Sequence, residues 1–361
     1  MVCIAAFIIL CLVSVIVAFL SIFKRDIGKR WWAVFKKAWH CVFKKVRLQK
    51  CDTNFKDDVK NTILKKVIIK HPKWVKPISI IIEVVSVLIV LITIWSIVIA
   101  IKSLLAIWVF GTCNVSQPAS CSLGAEVCSI DEGEPDGPLG HIGRWFTEWG
   151  EIFSAIPDRL HSWPAEDYVV GIFATSNAPS VSSEEGKNSG NRALDIVDPG
   201  CSVCMQSYKN QLKSDFANTH NLIIMPYVIK LPDGSEKFKN SELTSRYLIA
   251  VALYDDAEKS PTNHYKMFLD RIFTEFNKDN LNYQSYIQSL TPEEATKMFN
   301  SWLQEFGIKK TDAEVIAERI NSDNINSYIT EIANMVEEKI KAKGIPTLIY
   351  DNQLHTGLYK I

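Results

Sequence analysis

The chain has 361 residues, with 40 Lys/Arg balanced by 40 Asp/Glu and 47% hydrophobic residues. That length holds a domain of ordinary size plus further parts, and the zero net charge excludes a uniformly basic or acidic chain. The balance hides a division: residues 24–76 carry 17 Lys/Arg against four Asp, a net of +13, and residues 111–361 carry 22 against 35 Asp/Glu, a net of −13. Such a split points to different compartments or partners for the two parts.

In chain order, residues 2–23 are 22 uncharged residues, enough to cross a bilayer. The positive charge follows them rather than preceding them, which favours a retained span over a cleaved signal peptide. Residues 24–77 form a basic loop. Within it Trp32, Phe35, Trp39, Phe43 and Val46 recur at helical spacing among Lys36, Lys37, Lys44, Lys45 and Arg47. A helix of this kind is expected on an anionic membrane surface. Nucleic-acid binding is the alternative, and no recognition fold accompanies the charge. Cys3 and Cys11 fall in the first span as small apolar residues, and Cys41 and Cys51 are expected as free thiols.

A second apolar block, residues 78–110, has its uninterrupted centre at 84–101, between Glu83 and Lys102. Lys102 is expected to snorkel or to mark the boundary of a tilted span. A basic loop this short follows the positive-inside rule and is expected in the cytoplasm. Both termini, and everything after residue 110, then lie on the outer side of a two-pass cell-membrane protein, where disulfides are made and kept.

Residues 111–166 read as a linker carrying Cys113, Cys121 and Cys128. Three cysteines cannot all pair among themselves. A structural disulfide with one leftover thiol is the expectation, a relay to a second redox pair is the alternative, and spacing does not decide the pairing. Residues 141–160 put Ile142, Trp145, Phe146, Trp149, Phe153, Ile156 and Leu160 on one helical face, suited to a membrane surface or to docking on the domain.

From residue 167 the pattern changes. Residues 168–174 read as a short strand, 176–191 as a polar loop, and 193–197 as a strand feeding a Pro199-Gly200 turn. Cys201-Ser202-Val203-Cys204 follows where a helical pattern begins. In a helix's first turn, unpaired N–H groups and the dipole favour the Cys201 thiolate, and Cys204 is close enough along the helix to reach its sulfur. Thiol–disulfide exchange needs such a pair. No second CxxC or nearby His pair completes a zinc site. Residues 222–230 read as a strand in which Pro226 marks a bulge or an edge. Helical periodicity then runs from 242 to about 341, with Leu243, Tyr247, Leu248 and Val251, Tyr265, Phe268, Ile272 and Phe276, and Phe299, Trp302, Leu303 and Phe306 expected as core. Gly344-Ile345-Pro346-Thr347 breaks it, and 348–350 with 355–361 read as a hairpin around 351–353.

This order of elements resembles the DsbA-like family of thioredoxin-fold disulfide oxidoreductases over residues 167–361. The resemblance implies an α/β, thioredoxin-like fold with an inserted helical domain (about 241–340), here preceded by two transmembrane helices. It implies Cys201 and Cys204 as the catalytic pair, Asp195 as a buried carboxylate under the second cysteine, and Ile345, cis-Pro346 and Thr347 as the segment that pairs with substrate backbone. Ser202-Val203 departs from the family's commoner Pro-His, so a less acidic Cys201 and a less oxidising disulfide are expected. The family usually closes with a further helix after the hairpin, and these residues end at Ile361: either that helix is absent, leaving one face of the sheet less covered, or the chain is shortened.

The resulting expectation is a membrane-anchored extracytoplasmic enzyme that forms or exchanges disulfides, with oxidase favoured. It needs no cofactor, since neither GxGxxG nor a Walker loop is present. Its partners are thiols of secreted or membrane proteins, the lipid bilayer and a quinone-linked membrane protein that recycles it. The alternatives are a non-enzymatic binding module with a structural disulfide, and a carrier holding Cu(I) on the CxxC pair.

Overall fold

The computed structural model describes residues 75–120, 126–130, 137–174 and 179–359. The expected first span, the aromatic helix of the basic loop, and Cys3, Cys11, Cys41, Cys51 and Cys121 lie outside the described residues. The chain divides into two compact units, Met1–Ile101 and Lys102–Ile361.

Helix α1 (Val75–Phe110) runs for 36 residues. Among the described residues one stretch is long and apolar enough to cross a membrane, Val87–Phe110. In the first unit its Leu88, Leu91, Ile92 and Ile94 are exposed. Two of its hydroxyls are satisfied internally: Thr93 Oγ1 donates to the Ile89 carbonyl at 2.8 Å and Ser96 Oγ to that of Ile92 at 2.9 Å. Bonding of that kind is what an apolar solvent demands of polar side chains.

The second unit starts with the last turns of α1, then strand β1 (Cys128–Ser129) and helix α2 (Gly137–Arg159). Lys102 pairs with Glu148 of α2 and lies 5.5 Å from the Trp145 ring centre, so its charge is neutralised by protein. Ala106, Val109 and Phe110 pack with Val115, Ile152 and Ala155. The amphipathic helix is therefore docked through one strip, while Ile142, Phe146, Phe153 and Leu160 stay exposed.

The sequence continues through α3 (Glu184–Asn188), β2 (Arg192–Val197), α4 (Ser202–Lys213), α5 (Phe216–Thr219) and β3 (Asn221–Pro226). A helical block follows, α6 (Ser241–Glu258), α7 (His264–Thr274), α8 (Tyr283–Ser289), α9 (Pro292–Glu305), α10 (Lys310–Arg319) and α11 (Asp323–Asn334). Strands β4 (Gly344–Ile345), β5 (Thr347–Tyr350) and β6 (Gln353–Thr356) come last. The main sheet has the order β3-β2-β5-β6, with β2 and β3 parallel and the other pairs antiparallel.

This is a mixed α/β, thioredoxin-like arrangement with a helical insertion. Strand β2 is central and buried from Ala193 to Val197, which is why it reads as a nearly unbroken apolar run. Pro226 ends the edge strand β3, where its missing N–H disrupts no ladder. The hairpin turns on Asp351 and Asn352, both left-handed (φ 49 and 58), so Gln353 belongs to the strand rather than the turn.

Residues 168–174 are not the expected strand. Two 3-10 turns, Ala165–Tyr168 and Gly171–Ala174, stand there instead, and Gly171 takes a left-handed φ of +48 that a strand does not, with the Tyr328 ring 2.1 Å from where a Cβ would stand. In the insertion, Tyr247, Phe268, Phe299 and Trp302 form the aromatic centre, and Phe268 and Phe299 stand 5.3 Å apart. Phe276, expected among them, lies past the end of α7 and is 53% exposed. Helix α9 opens on a capping box in which Thr291 and Glu294 each bond the other's backbone N–H.

Phe268 touches Tyr247, Phe299, Trp302 and Phe306. Phe268→Ala is expected to lower stability by about 3–5 kcal/mol, read as an earlier denaturation midpoint of the full chain in detergent.

Candidate redox-active site

The site is built where β2 hands over to α4. Asp198, fully buried, accepts from the Gly200 and Ile229 N–H groups, both at 2.8 Å, and from the Ser241 hydroxyl. Burial raises its pKa to about 6, against the pull of those donors. The turn is closed by Cys201 N–H donating to the Asp198 carbonyl at 3.0 Å. A Cβ on Gly200 would stand 2.3 Å from the Phe238 Cβ, so the close approach there requires glycine. From the insertion, Gln284 donates to the carbonyls of Pro199 (2.8 Å) and Cys201 (2.9 Å), and Gln288 to that of Gly200 (2.9 Å).

Cys201 is the N-cap residue of α4, with extended backbone. It therefore sits where the helix's unpaired N–H groups and dipole are strongest. Its side chain is fully buried and disulfide-bonded to Cys128, with the two Cα atoms 6.4 Å apart. Cys204, one turn on, is buried and free. Burial, then the charges of Asp195 and Asp198, push its thiol well above the usual range. At neutral pH it holds its proton, and it needs a base to act.

Asp195 lies mid-strand in β2, between Ile224 of β3 and Leu348 of β5. It has no exposed surface. Its Oδ2 accepts from Gln211 Nε2 at 2.6 Å, and its Oδ1 has no partner. Burial pushes its pKa up to about 7, opposed by hydrogen bonds from Gln211 and Ser207. That is near the pH at which a proton moves either way with little driving force.

Opposite Cys201, the Ile345–Pro346 peptide bond is cis. The Ile345 carbonyl oxygen is 3.9 Å from Cys201 Sγ, which as a disulfide sulfur carries no proton to donate. Thr347 is buried and donates to the Gly344 carbonyl at 2.8 Å. Strand β1 pairs antiparallel with β4, setting Cys128 against Ile345 and Ser129 against Gly344. Cys201, Cys204, Asp195, Ile345, Pro346 and Thr347 thus share one locus. Of the linker cysteines, Cys128 joins them, while Cys113 is itself disulfide-bonded. Asp198, Gln284 and Gln288 escaped the sequence reading. Asp198 alone had a signal, its position just before Pro-Gly; the two glutamines lie some 80 residues away.

No protein-family model matches the sequence, and no curated protein matches it. Among solved structures, the chain is similar to a thioredoxin-like oxidoreductase from Silicibacter pomeroyi, at 14% identity and a TM-score of 0.36, over 54% of this chain and 89% of that one. It is similar to MdbA, a thiol-disulfide oxidoreductase from Corynebacterium diphtheriae, at 14% identity and a TM-score of 0.36, over 48% and 81%. It is also similar to the thiol-disulfide exchange protein alpha-DsbA2 from Wolbachia pipientis, at 16% and 0.33, over 49% and 78%. Similarity of this extent leaves the functional argument to the geometry of the site.

The native state keeps Asp195 protonated up to about pH 7, while an unfolded Asp ionises near 3.8. The stability tied to that proton is complete below about 3.8 and is lost as pH rises to about 7. Asp195→Asn cannot titrate, and Gln211 can turn its unpartnered Oε1 to the new amide. The variant should gain on the parent between pH 4 and pH 8, by at most about 4 kcal/mol, seen as a widening gap between their urea midpoints.

Proposed function

We propose that the chain is a membrane-anchored thiol–disulfide oxidoreductase acting on cysteines of secreted or membrane proteins, outside the cytoplasm. One observation carries this reading. Cys201, at the start of α4, is disulfide-bonded to an extended strand that pairs with the residue before cis-Pro346. A mixed disulfide with a polypeptide requires that arrangement: sulfur joined to sulfur, with backbone pairing alongside to hold the peptide.

In the oxidising direction, a substrate thiolate attacks Cys201 Sγ of a Cys201–Cys204 disulfide. Cys204 leaves, and because burial disfavours its thiolate, it takes the proton that Asp195 holds. A second substrate thiolate then attacks the substrate sulfur, and Cys201 departs as a thiolate favoured by the helix end. Reduction is the same path reversed, with Asp195 accepting the Cys204 proton. Direction depends on the redox poise of the partner, and oxidation is the reading we adopt. The electron pair then passes from reduced Cys201/Cys204 to a quinone-linked membrane partner. The sulfurs carry the electrons throughout, so the cycle calls for no cofactor.

A second reading draws on the same bond. If Cys128–Cys201 is a permanent crosslink, Cys201 is unavailable and the domain is a binding module. A glutathione series separates the two, because a structural bridge resists reduction.

Cys201→Ser should reduce oxidation of a reduced test protein to the uncatalysed background, and reduced Cys204→Ser, given the same protein in its disulfide form, should accumulate a covalent adduct with it on non-reducing gels. Activity surviving in Cys201→Ser would sink the enzyme reading. For topology, a tag after Ile361 should react with a membrane-impermeant reagent on intact cells; protection until lysis would reverse the orientation.

A further inference from the structure

On the oxidoreductase reading, we propose that Cys128 is a third redox-active cysteine, carried on a resident strand that fills the groove a substrate peptide takes. Residues 126–130 are held there by more than the disulfide. The Glu126 carbonyl accepts from Leu358 N–H at 2.8 Å, and Ile130 N–H donates to the Lys343 carbonyl at 3.3 Å. Lys237 Nζ donates to the Ser129 carbonyl at 3.1 Å, and the Ser129 hydroxyl accepts from Ala119 N–H at 2.9 Å. Val127, Cys128 and Ser129 are all buried. Gly344 leaves room for Val127, since a Cβ there would stand 3.0 Å from the valine Cβ and Cγ2. The strand is seated on both sides and at both ends, with its sulfur at the one position that reaches Cys201.

What makes this bond exchangeable is the free, buried thiol of Cys204, one helical turn from Cys201. Cys204 gives its proton to Asp195 and attacks Cys201 Sγ. The Cys128–Cys201 bond breaks, the Cys201–Cys204 bond forms, and Cys128 leaves as a thiolate that is then protonated. One disulfide and one thiol become one disulfide and one thiol, so no outside oxidant or reductant enters. The molecule thus has two isomers at one oxidation level: a self-occupied form with Cys128 bonded, and an open form with Cys201–Cys204 ready for substrate.

The resident strand also describes its competitors. A substrate must be extended across Gly344–Ile345, with its cysteine opposite Ile345. The Val127 and Ser129 positions ask for an apolar residue before that cysteine and a small one after it.

The test uses the full chain in detergent, glutathione disulfide as the terminal oxidant, and the synthetic peptide Glu-Val-Cys-Ser-Ile as substrate, two peptides being joined by a disulfide in each turnover. Thiols are trapped by acid and alkylation, and the disulfide-linked peptides are mapped. The parent should contain both Cys128–Cys201 and Cys201–Cys204, and Cys204→Ala only the former. Cys128→Ser should lower the KM for peptide oxidation about tenfold with kcat little changed. That is the ratio of an effective concentration on the order of 1 mM for a tethered competitor to a peptide KM of about 0.1 mM. Mapping the parent tests exchange without any substitution. A parent in which Cys201 is never joined to Cys204, or equal KM values for parent and Cys128→Ser, overturns the inference. If neither protein oxidises the peptide, the oxidoreductase reading itself falls.

Discussion

The carboxylate of Asp198 is the joint on which the rest of the structure depends. It accepts hydrogen bonds from the CxxC turn, from the segment after β3 and from the first residue of the insertion. A buried carboxylate is tolerable only when donors surround it, so these three segments cannot separate without leaving it unsatisfied. Gln284 and Gln288 add donors from α8 to the same turn's carbonyls. The helical insertion is therefore part of the site: it supplies the polar lid that lets a tight backbone turn sit in an apolar interior.

Within that frame the chemistry reduces to where one proton resides. Cys204 and Asp195 are both fully buried, and burial disfavours the charged form of each. At most one of the pair is ionised comfortably, so loss of a proton by the thiol and its gain by the carboxylate are coupled. Cys201 is equally buried but stands at the helix start, where the unpaired N–H groups and the dipole offset that penalty for a sulfur anion. Two cysteines three residues apart thus have opposite tendencies, and the proposed exchange uses that asymmetry.

The linker belongs to the same economy of pairing. A free edge at β4, with the Cys201 sulfur beside it, would be open to any extended chain. Strand β1 covers it with the chain's own backbone and sulfur. The neighbouring α2 joins the end of α1 through Ile152 and Ala155 and through the Glu148–Lys102 pair, which keeps a lysine inside an apolar stretch without an unpaired charge.

Much of this was written locally. Residues 193–197 are apolar apart from Asp195 because their strand is buried. The Cys-x-x-Cys spacing matches one helical turn, Thr291-Pro-Glu-Glu carries its own capping chemistry, and Pro346 after Gly344 marks a break in the helix. Residues 168–174 misled because apolar composition suits a buried 3-10 turn as well as a strand, and the left-handed Gly171 against the Tyr328 ring fits the turn. Sequence alone determined the long apolar helix and the strand–CxxC–strand order, since each depends on neighbours within a few residues, while the place of Asp195 came from the family resemblance. Tertiary structure alone decided that Cys128 is the cysteine meeting Cys201 across 73 residues, and that Gln284 and Asp198 hold the turn. Those are contacts between distant segments, and spacing along a chain carries no record of which sulfur or carbonyl a folded backbone will bring near.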